Sequence, residues 1–380
     1  MDEKGRIPTP PTTSTVLRGV SAEEKGKNTV PDKLNNYPTN SDFDTSPYAE
    51  LKRLMMQKGL LNKQPVYYTC KLLFTLGLLV LGLAFLLVVN SFWLQLLDTV
   101  YLAFVFAQIG LIGHDAGHRQ IFRKVWKNDI VGLIDNLVLG VSYSWWIGKH
   151  NRHHSHPNQV GFDPDIDLPL FSFTEEQAQS RQKIARFVTK YQAYLYIPMS
   201  TLIVIGYRFI SFRFVLQKKG KYPLIEGFLL ITSLLLYFGL LLTRMGIWQA
   251  ILFFTIHHML LGLFIGTIFA PNHKGMLVLD KESQMNFLHR QVLTSRDIKG
   301  GPFTDFWYGG LNYQIEHHLF PNMARNKLRE AQQIVKAFCR ARSIPYYESS
   351  VLQSNKEIHR YMHRIGAPLR GRKPELEGQS

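Results

Sequence analysis

Eight of the 14 histidines fall in patterns that can do chemistry. His114 and His118 sit in HDAGH. His150, His153 and His154 sit in HNRHH, with His156 just after. His317 and His318 close QIEHH, which opens on Gln314, and His273 stands in PNHKG. Positions i and i+4 of a helix share one face, about 6 Å apart along the axis. HxxxH therefore aims two imidazoles at one point, and HxxHH offers three from one face. Three such clusters in one chain point to metal binding. One ion accepts about four to six ligands, so this many imidazoles suit two ions better than one. The chain has only two cysteines, Cys70 and Cys339, which excludes a Cys-only zinc or iron–sulfur site. HEXXH does not occur, nor do the Glu-x-x-His pairs of soluble di-iron bundles. An all-imidazole, redox-capable pair suggests non-haem iron; spacing alone leaves zinc open.

The elements that must position these histidines are apolar. Leu72–Val89 is an 18-residue run without a charge. Thr99–Gly113 is a shorter run that leads straight into HDAGH, and Leu224–Thr243 and Ile247–Ala270 form another pair. Runs of about 20 apolar residues span the hydrocarbon core as helices. We therefore expect an all-α integral membrane protein: four transmembrane helices in two hairpins (about 70–90, 97–114, 224–243 and 247–270), with a cytoplasmic helical cap holding a di-metal site. The 380 residues carry 44 Lys+Arg against 28 Asp+Glu, a net charge of +16. Of the basic residues, 11 precede the core of the first run, 15 lie from Arg119 to Lys221, and 17 follow Ala270. Only Arg244 falls in a connection on the other side. The positive-inside rule then places both termini and the central region in the cytoplasm. An anionic membrane surface accounts for the positive charge without nucleic acid. Residues 1–45 read as a disordered tail, 46–345 as the membrane domain, and 346–380 as a basic C-terminal tail. Tyr48–Leu61 has the spacing of a helix lying on the membrane surface.

HDAGH, HNRHH and QIEHH, in this order and at these distances from paired spans, resemble the three histidine boxes of membrane fatty acid desaturases. GGLNYQIEHHLFP (Gly309–Pro321) is the sharpest phrase. Its Gln314 in place of a first histidine is similar to front-end and linoleoyl-CoA-type desaturases. HNRHHSHPNQVGFDPDID and FAPNHKGM resemble bacterial members of that group. The likeness runs from about Tyr48 to Ser343. It implies a centre of two non-haem iron ions held by His114 and His118, by His150, His153 and His154, by His317 and His318, and by His273. Gln314 stands where many relatives have a ligating histidine, and either a weak ligand or a structural hydrogen bond fits it. The implied activity is the O2-dependent introduction of a cis double bond into a fatty acyl-CoA or acyl-lipid. The implied lipid-metabolic oxidoreductase sits in the bilayer, a bacterial plasma membrane by the flavour of its motifs rather than the endoplasmic reticulum. The His-Pro-Gly-Gly mark of a fused cytochrome b5 domain is missing; the only His-Pro is His156-Pro157, followed by Asn158. The two electrons are therefore expected from a separate donor, ferredoxin or cytochrome b5 with its reductase.

A shared metal site constrains the topology. A single span at either 130–147 or 191–210 would put boxes on opposite faces, so both stretches are expected at the interface. Metal-bound imidazoles usually donate their second N–H to a carboxylate or carbonyl; Asp163 and Asp305 are the preferred partners. Trp307, His257 and His258 are candidates for the substrate tunnel. His257 lies 16 residues before His273, roughly 24 Å along a helix, too far to share its metal. For this histidine pair a bond to another helix is the simpler role. Fatty acyl and alkyl hydroxylases have comparable boxes and form the alternative; LNYQIEHHLFP argues for desaturation. A His-lined metal transporter would place its ligands inside the spans, where only His257 and His258 lie.

Overall fold

The computed structural model describes residues 46–371, so the expected tail at 1–45 lies outside it. The regular structure of the described residues is almost all helical. Its helices are α1 (Pro47–Gln57), α2 (Pro65–Val88), α3 (Phe92–Gly117), α4 (Val125–Leu139), α5 (Tyr143–Ser155), α6 (Glu175–Ser180), α7 (Lys183–Lys190) and α8 (Gln192–Ser200). They continue with α9 (Ile203–Leu216), α10 (Pro223–Leu242), α11 (Ile247–His273), α12 (Phe287–Leu293), α13 (Pro302–Trp307), α14 (Gln314–Leu319), α15 (Leu328–Ala341) and α16 (Val351–Ile365). Four of them, α2, α3, α10 and α11, are long and apolar enough to cross a membrane. Two further pairs are sharply bent: α4 and α5 by 110°, α8 and α9 by 69°. Counting each bent pair as one span would raise the number to six.

Three of the long helices extend past their apolar runs: α2 begins at Pro65, α3 runs from Phe92 to Gly117, and α11 ends at His273. Pro65 opens α2 at a position where its missing N–H costs nothing. α2 buries only Tyr68, Thr75, Gly82 and Leu86, spaced to share one face, and leaves Leu73, Phe74, Leu76, Val80 and Leu81 exposed. A hydrophobic exterior of this kind fits a lipid environment. At Gly82 the two helices approach so closely that a Cβ would lie 2.6 Å from the Leu102 side chain. α3 is the central helix, buried along most of its length from Gln95 to Ala116. It packs against α2, α4 and α11. At Gly262 of α11 a Cβ would lie 2.7 Å from two carbonyl oxygens, Ser200 O and Thr201 O, so only glycine lets α11 lie against the α8–α9 bend.

Local sequence explains the bend that places the second box. α4 ends at Gly140, left-handed at φ +65°, the conformation glycine adopts without a Cβ penalty. Ser142 then caps α5, its Oγ accepting from Trp145 N at 3.1 Å. α5 thus starts in a new direction and carries HNRHH back toward the end of α3.

The stretch expected as a C-terminal tail is structured as far as Arg370. A two-residue strand β2 (Glu348–Ser349) pairs in parallel with β1 (Asp297–Ile298), Asp297 opposite Glu348. α16 then buries Ser354, Ile358, Met362 and Ile365, a helical stripe, and leaves Lys356, Arg360 and Arg364 exposed. Ile358 and Met362 pack with Phe173, Val188 and Ala270. The basic character is real, and it occupies the outer face of a docked helix.

Candidate metal centre

The eight box and linker histidines converge. His114, His118, His150, His154 and His317 form one group, and His153, His273 and His318 a second; within each, the donor nitrogens lie within 4.8 Å of one another. Nitrogens bound at about 2.0–2.1 Å to one ion lie at most about 4.2 Å apart, so little movement is needed. His114 comes from the last turn of α3, where His118 caps the helix. α5 supplies His150, His153 and His154; α11 ends on His273; α14 supplies His317 and His318. Because 153 lies one residue from 154, and 317 one from 318, neighbouring positions on one helix serve different groups.

The second group has the geometry to hold a cation. His153 Nδ1 lies 2.9 Å from Asp163 Oδ2, and His273 Nδ1 lies 3.1 Å from the Thr294 carbonyl. Both partners only accept, so both Nδ1 atoms carry the proton. His318 Nδ1 lies 2.9 Å from Gln291 Oε1. The Gln291 amide cannot be reversed, because its Nε2 donates to the His154 carbonyl at 2.9 Å. In the neutral, ligating rings all three Nε2 atoms are then bare lone pairs. His153 Nε2 and His273 Nε2 nevertheless face each other at 3.3 Å. With both rings neutral, two lone pairs face each other at that distance, and a metal ion between them would turn repulsion into ligation. In the first group His118 Nε2 and His150 Nε2 are 2.9 Å apart, and His150 Nε2 and His154 Nε2 are 3.1 Å apart. His114 Nε2, His318 Nε2 and both ring nitrogens of His317 are buried with no hydrogen-bond partner, a rare and costly state that a metal would relieve at one nitrogen of each ring. Burial, and then the neighbouring imidazoles, pull His150, His154, His317 and His318 well below the usual histidine range. Neutral imidazole is the ligating form.

A fatty acid desaturase family model matches residues 91–350, more than half of the chain. The chain belongs to the fatty acid desaturase family. Among its relatives, an acyl-lipid (9-3)-desaturase of Physcomitrium patens is 30% identical over 330 residues, 84% of this chain and 62% of that protein. This chain thus spans less than two thirds of that relative's length. A Delta(8)-fatty-acid desaturase of Helianthus annuus is 29% identical over 81% of this chain and 70% of its own length. A Delta(5) fatty acid desaturase, fat-4, of Caenorhabditis elegans is 28% identical over 79% of this chain and 69% of its own. All three are eukaryotic proteins and lend no support to a bacterial membrane.

Within this desaturase-family fold, the two expected carboxylate partners differ. Asp163 is fully buried and holds His153, while its backbone partners are Asn158 N at 2.7 Å and Asp165 N at 2.8 Å. Asp305 reaches no histidine. Its carboxylate accepts from the Tyr313 hydroxyl and from Asn312 Nδ2, both at 2.9 Å, and so braces the loop into α14. The spacing that suggested it reflects a role one step removed. Gln314 is buried beside His273, their Nε2 atoms 2.9 Å apart. Trp307 packs at a tilt on Phe264 with centroids 4.2 Å apart and lies 6.3 Å from Phe104, between α3 and α11. His257 bonds the Tyr237 hydroxyl at 2.7 Å and so ties α11 to α10; His258 bonds the Phe254 carbonyl of its own helix.

Most of the supporting residues carry no signal in the sequence; Asp115 and Glu316 are the exceptions, standing beside the box histidines. Arg325 Nε lies 2.5 Å from Asp115 Oδ2 and also bonds the Leu111 carbonyl, pinning the end of α3 from 210 residues away. Trp146 stacks on His150 with centroids 4.4 Å apart. Behind the third box, Asp297 Oδ1 accepts from Ile315 N at 3.0 Å, and Tyr346 Oη bridges Asp297 and Glu316 at 2.6 and 3.0 Å. Burial, and then the Asp297 carboxylate, push Glu316 well above the usual carboxylate range. Gln291 and Thr294 have no motif of their own; only their distance from His318 and His273 identifies them.

Proposed function

We propose that this chain is an O2-dependent di-iron desaturase that introduces a cis double bond into a fatty acyl chain, presented as acyl-CoA or acyl-lipid. One observation carries the reading: the bare Nε2 lone pairs of His153, His273 and His318 converge beside a second, five-histidine group in a desaturase-family protein. Both groups would hold iron, His114, His118, His150, His154 and His317 one ion and His153, His273 and His318 the other. When bound, the reduced pair with O2 supplies the oxidising power to take hydrogen from an unactivated methylene, which no side-chain acid or base can do.

The chain's own residues do the rest. Asp163, Gln291 and the Thr294 carbonyl hold the proton on each Nδ1 and so keep each Nε2 available. Trp307, Phe264 and Phe104 make an aromatic wall that would align the acyl chain and exclude water. Four spans, α2, α3, α10 and α11, put every box at one membrane face, with the bent pairs lying along the interface and both termini cytoplasmic. The distribution of Lys and Arg supports that arrangement. The two electrons come from a separate donor, ferredoxin or cytochrome b5.

The test is a fatty acid profile by gas chromatography–mass spectrometry, with double-bond-locating derivatives, of a host expressing the protein with both candidate donors. A new unsaturated acid, absent from a His317→Ala control, is expected. A new hydroxy acid in its place would convert the reading to hydroxylation. Purified protein holding zinc and no iron would refute it.

A further inference from the structure

We propose that Gln314 is a hydrogen-bond donor aimed into the metal cavity, and not a metal ligand. The inference rests on the reading of the eight histidines as metal ligands. It starts from Asn272, which is fully buried next to His273. Asn272 Nδ2 lies 3.1 Å from the Ile268 carbonyl and 3.0 Å from the Leu311 carbonyl. Reversing this amide would set its oxygen against two carbonyl oxygens, so the NH2 group must point their way. The same Nδ2 lies 3.0 Å from the Gln314 amide, which must therefore present its oxygen. The Gln314 nitrogen is left facing His273.

A second constraint gives the same answer from the other side. His273 Nδ1 donates to the Thr294 carbonyl, so His273 Nε2 is a bare lone pair. The Gln314 atom 2.9 Å from it must be the donor, Nε2. An amide NH2 has no lone pair to give a metal, because the nitrogen's electrons are delocalised into the carbonyl. With a metal taking the His273 lone pair, the Gln314 N–H loses its acceptor. What remains for it is whatever non-protein group fills the positions that three histidines leave open. This metal, with three imidazoles against five in the other group, is the one with positions to spare. Gln314 would thus bias that position toward an anion or a polar oxygen and fix its orientation, and Asn272 would act as the positioning residue that keeps the amide from turning over.

The test uses the full-length ferric protein with azide as the probe. Iron content and the azide dissociation constant, from optical titration, are compared for wild type, Gln314→Leu and Gln314→Met. Both variants keep the volume and remove the donor, and the second adapts its shape if the first packs poorly. We expect two irons per chain in all three proteins and azide binding weaker by about tenfold in both variants, the loss of one hydrogen bond to a charged group. A fall to one iron per chain in either variant that still elutes as a folded species would make Gln314 a ligand and overturn the proposal. Unchanged azide affinity at full iron content would overturn it as well. Wild-type protein without two irons would instead sink the metal reading itself, whatever the variants do.

Discussion

Replacing Asp163 by Asn should release one iron before the other. The Asp163 carboxylate receives three N–H bonds, from His153 Nδ1, Asn158 N and Asp165 N. Asparagine keeps the first two, because both reach the same oxygen, Oδ2. It sets an NH2 group against the Asp165 N–H and removes the negative charge opposite His153. A hydrogen bond to a charged group contributes about 1.5–3 kcal/mol and a neutral one about 0.5–1.5, so the ligand loses roughly 1–1.5 kcal/mol of support. That corresponds to about tenfold in affinity, at the lower end of the range for partners of metal-bound histidine. Asp165 Oδ2, 3.6 Å from His153 Nδ1 and tied to Lys149, can recover part of it. The assay is iron per chain against rising chelator, by inductively coupled plasma mass spectrometry. The wild type should lose both ions over one range. Asp163→Asn should show an intermediate with one iron, its first release shifted about tenfold to lower chelator. Coincident loss of both ions at the wild-type midpoint would refute the division of labour between the two histidine groups.

Other outcomes follow from the same structure. Arg325→Met leaves the Asp115 carboxylate buried and unpaired, a loss of about 3–5 kcal/mol; it should yield little folded protein in a detergent thermal-shift assay, with Arg325→Lys recovering part. Tyr237→Phe removes one α10–α11 hydrogen bond of about 1 kcal/mol; the thermal midpoint should fall by a few degrees with both irons retained, and loss of iron would show that His257 communicates with the centre. Chelator-stripped protein should weaken in acid. His150, His154, His317 and His318 have folded-state pKa values below the unfolded value of about 6.5, so the unfolded chain binds more protons below that pH. Stability should hold above about pH 6.5 and fall as pH drops from there toward the folded values; a denaturation midpoint flat from pH 8 to 5 would contradict this.

The four long helices, and the convergence of the box histidines, were legible because their signals are local. A run of apolar residues and an i, i+4 pair are visible within one element. His273 was legible only through resemblance, since one histidine at a helix end has no pattern of its own. Arg325 and Asp115 are 210 residues apart, and Gln291 and His318 are 27 apart on different helices; no periodicity links such pairs. Asp305 shows the opposite failure. Sequence proximity to a box made it a candidate for holding a ligand, while the chain's path turns its carboxylate onto Tyr313 and Asn312. α16 was hidden by its charges: Lys356, Arg360 and Arg364 dominate the composition, and the stripe beneath them docks the helix.

The facing lone pairs of His153 and His273 bear on the life of the protein before metal arrives. A fold that holds two ring nitrogens 3.3 Å apart is one that a cation joining them would stabilise. Metal bound at 100 times its dissociation constant adds about 2.7 kcal/mol to the folded state, a large share of what holds a typical domain together. On the proposed iron reading, the quantity of this protein in a cell should follow iron supply without any regulator, the empty form being the less stable one. Its half-life in iron-starved and iron-replete cells, followed at constant synthesis, measures that coupling. Equal half-lives would show that the empty site is tolerated.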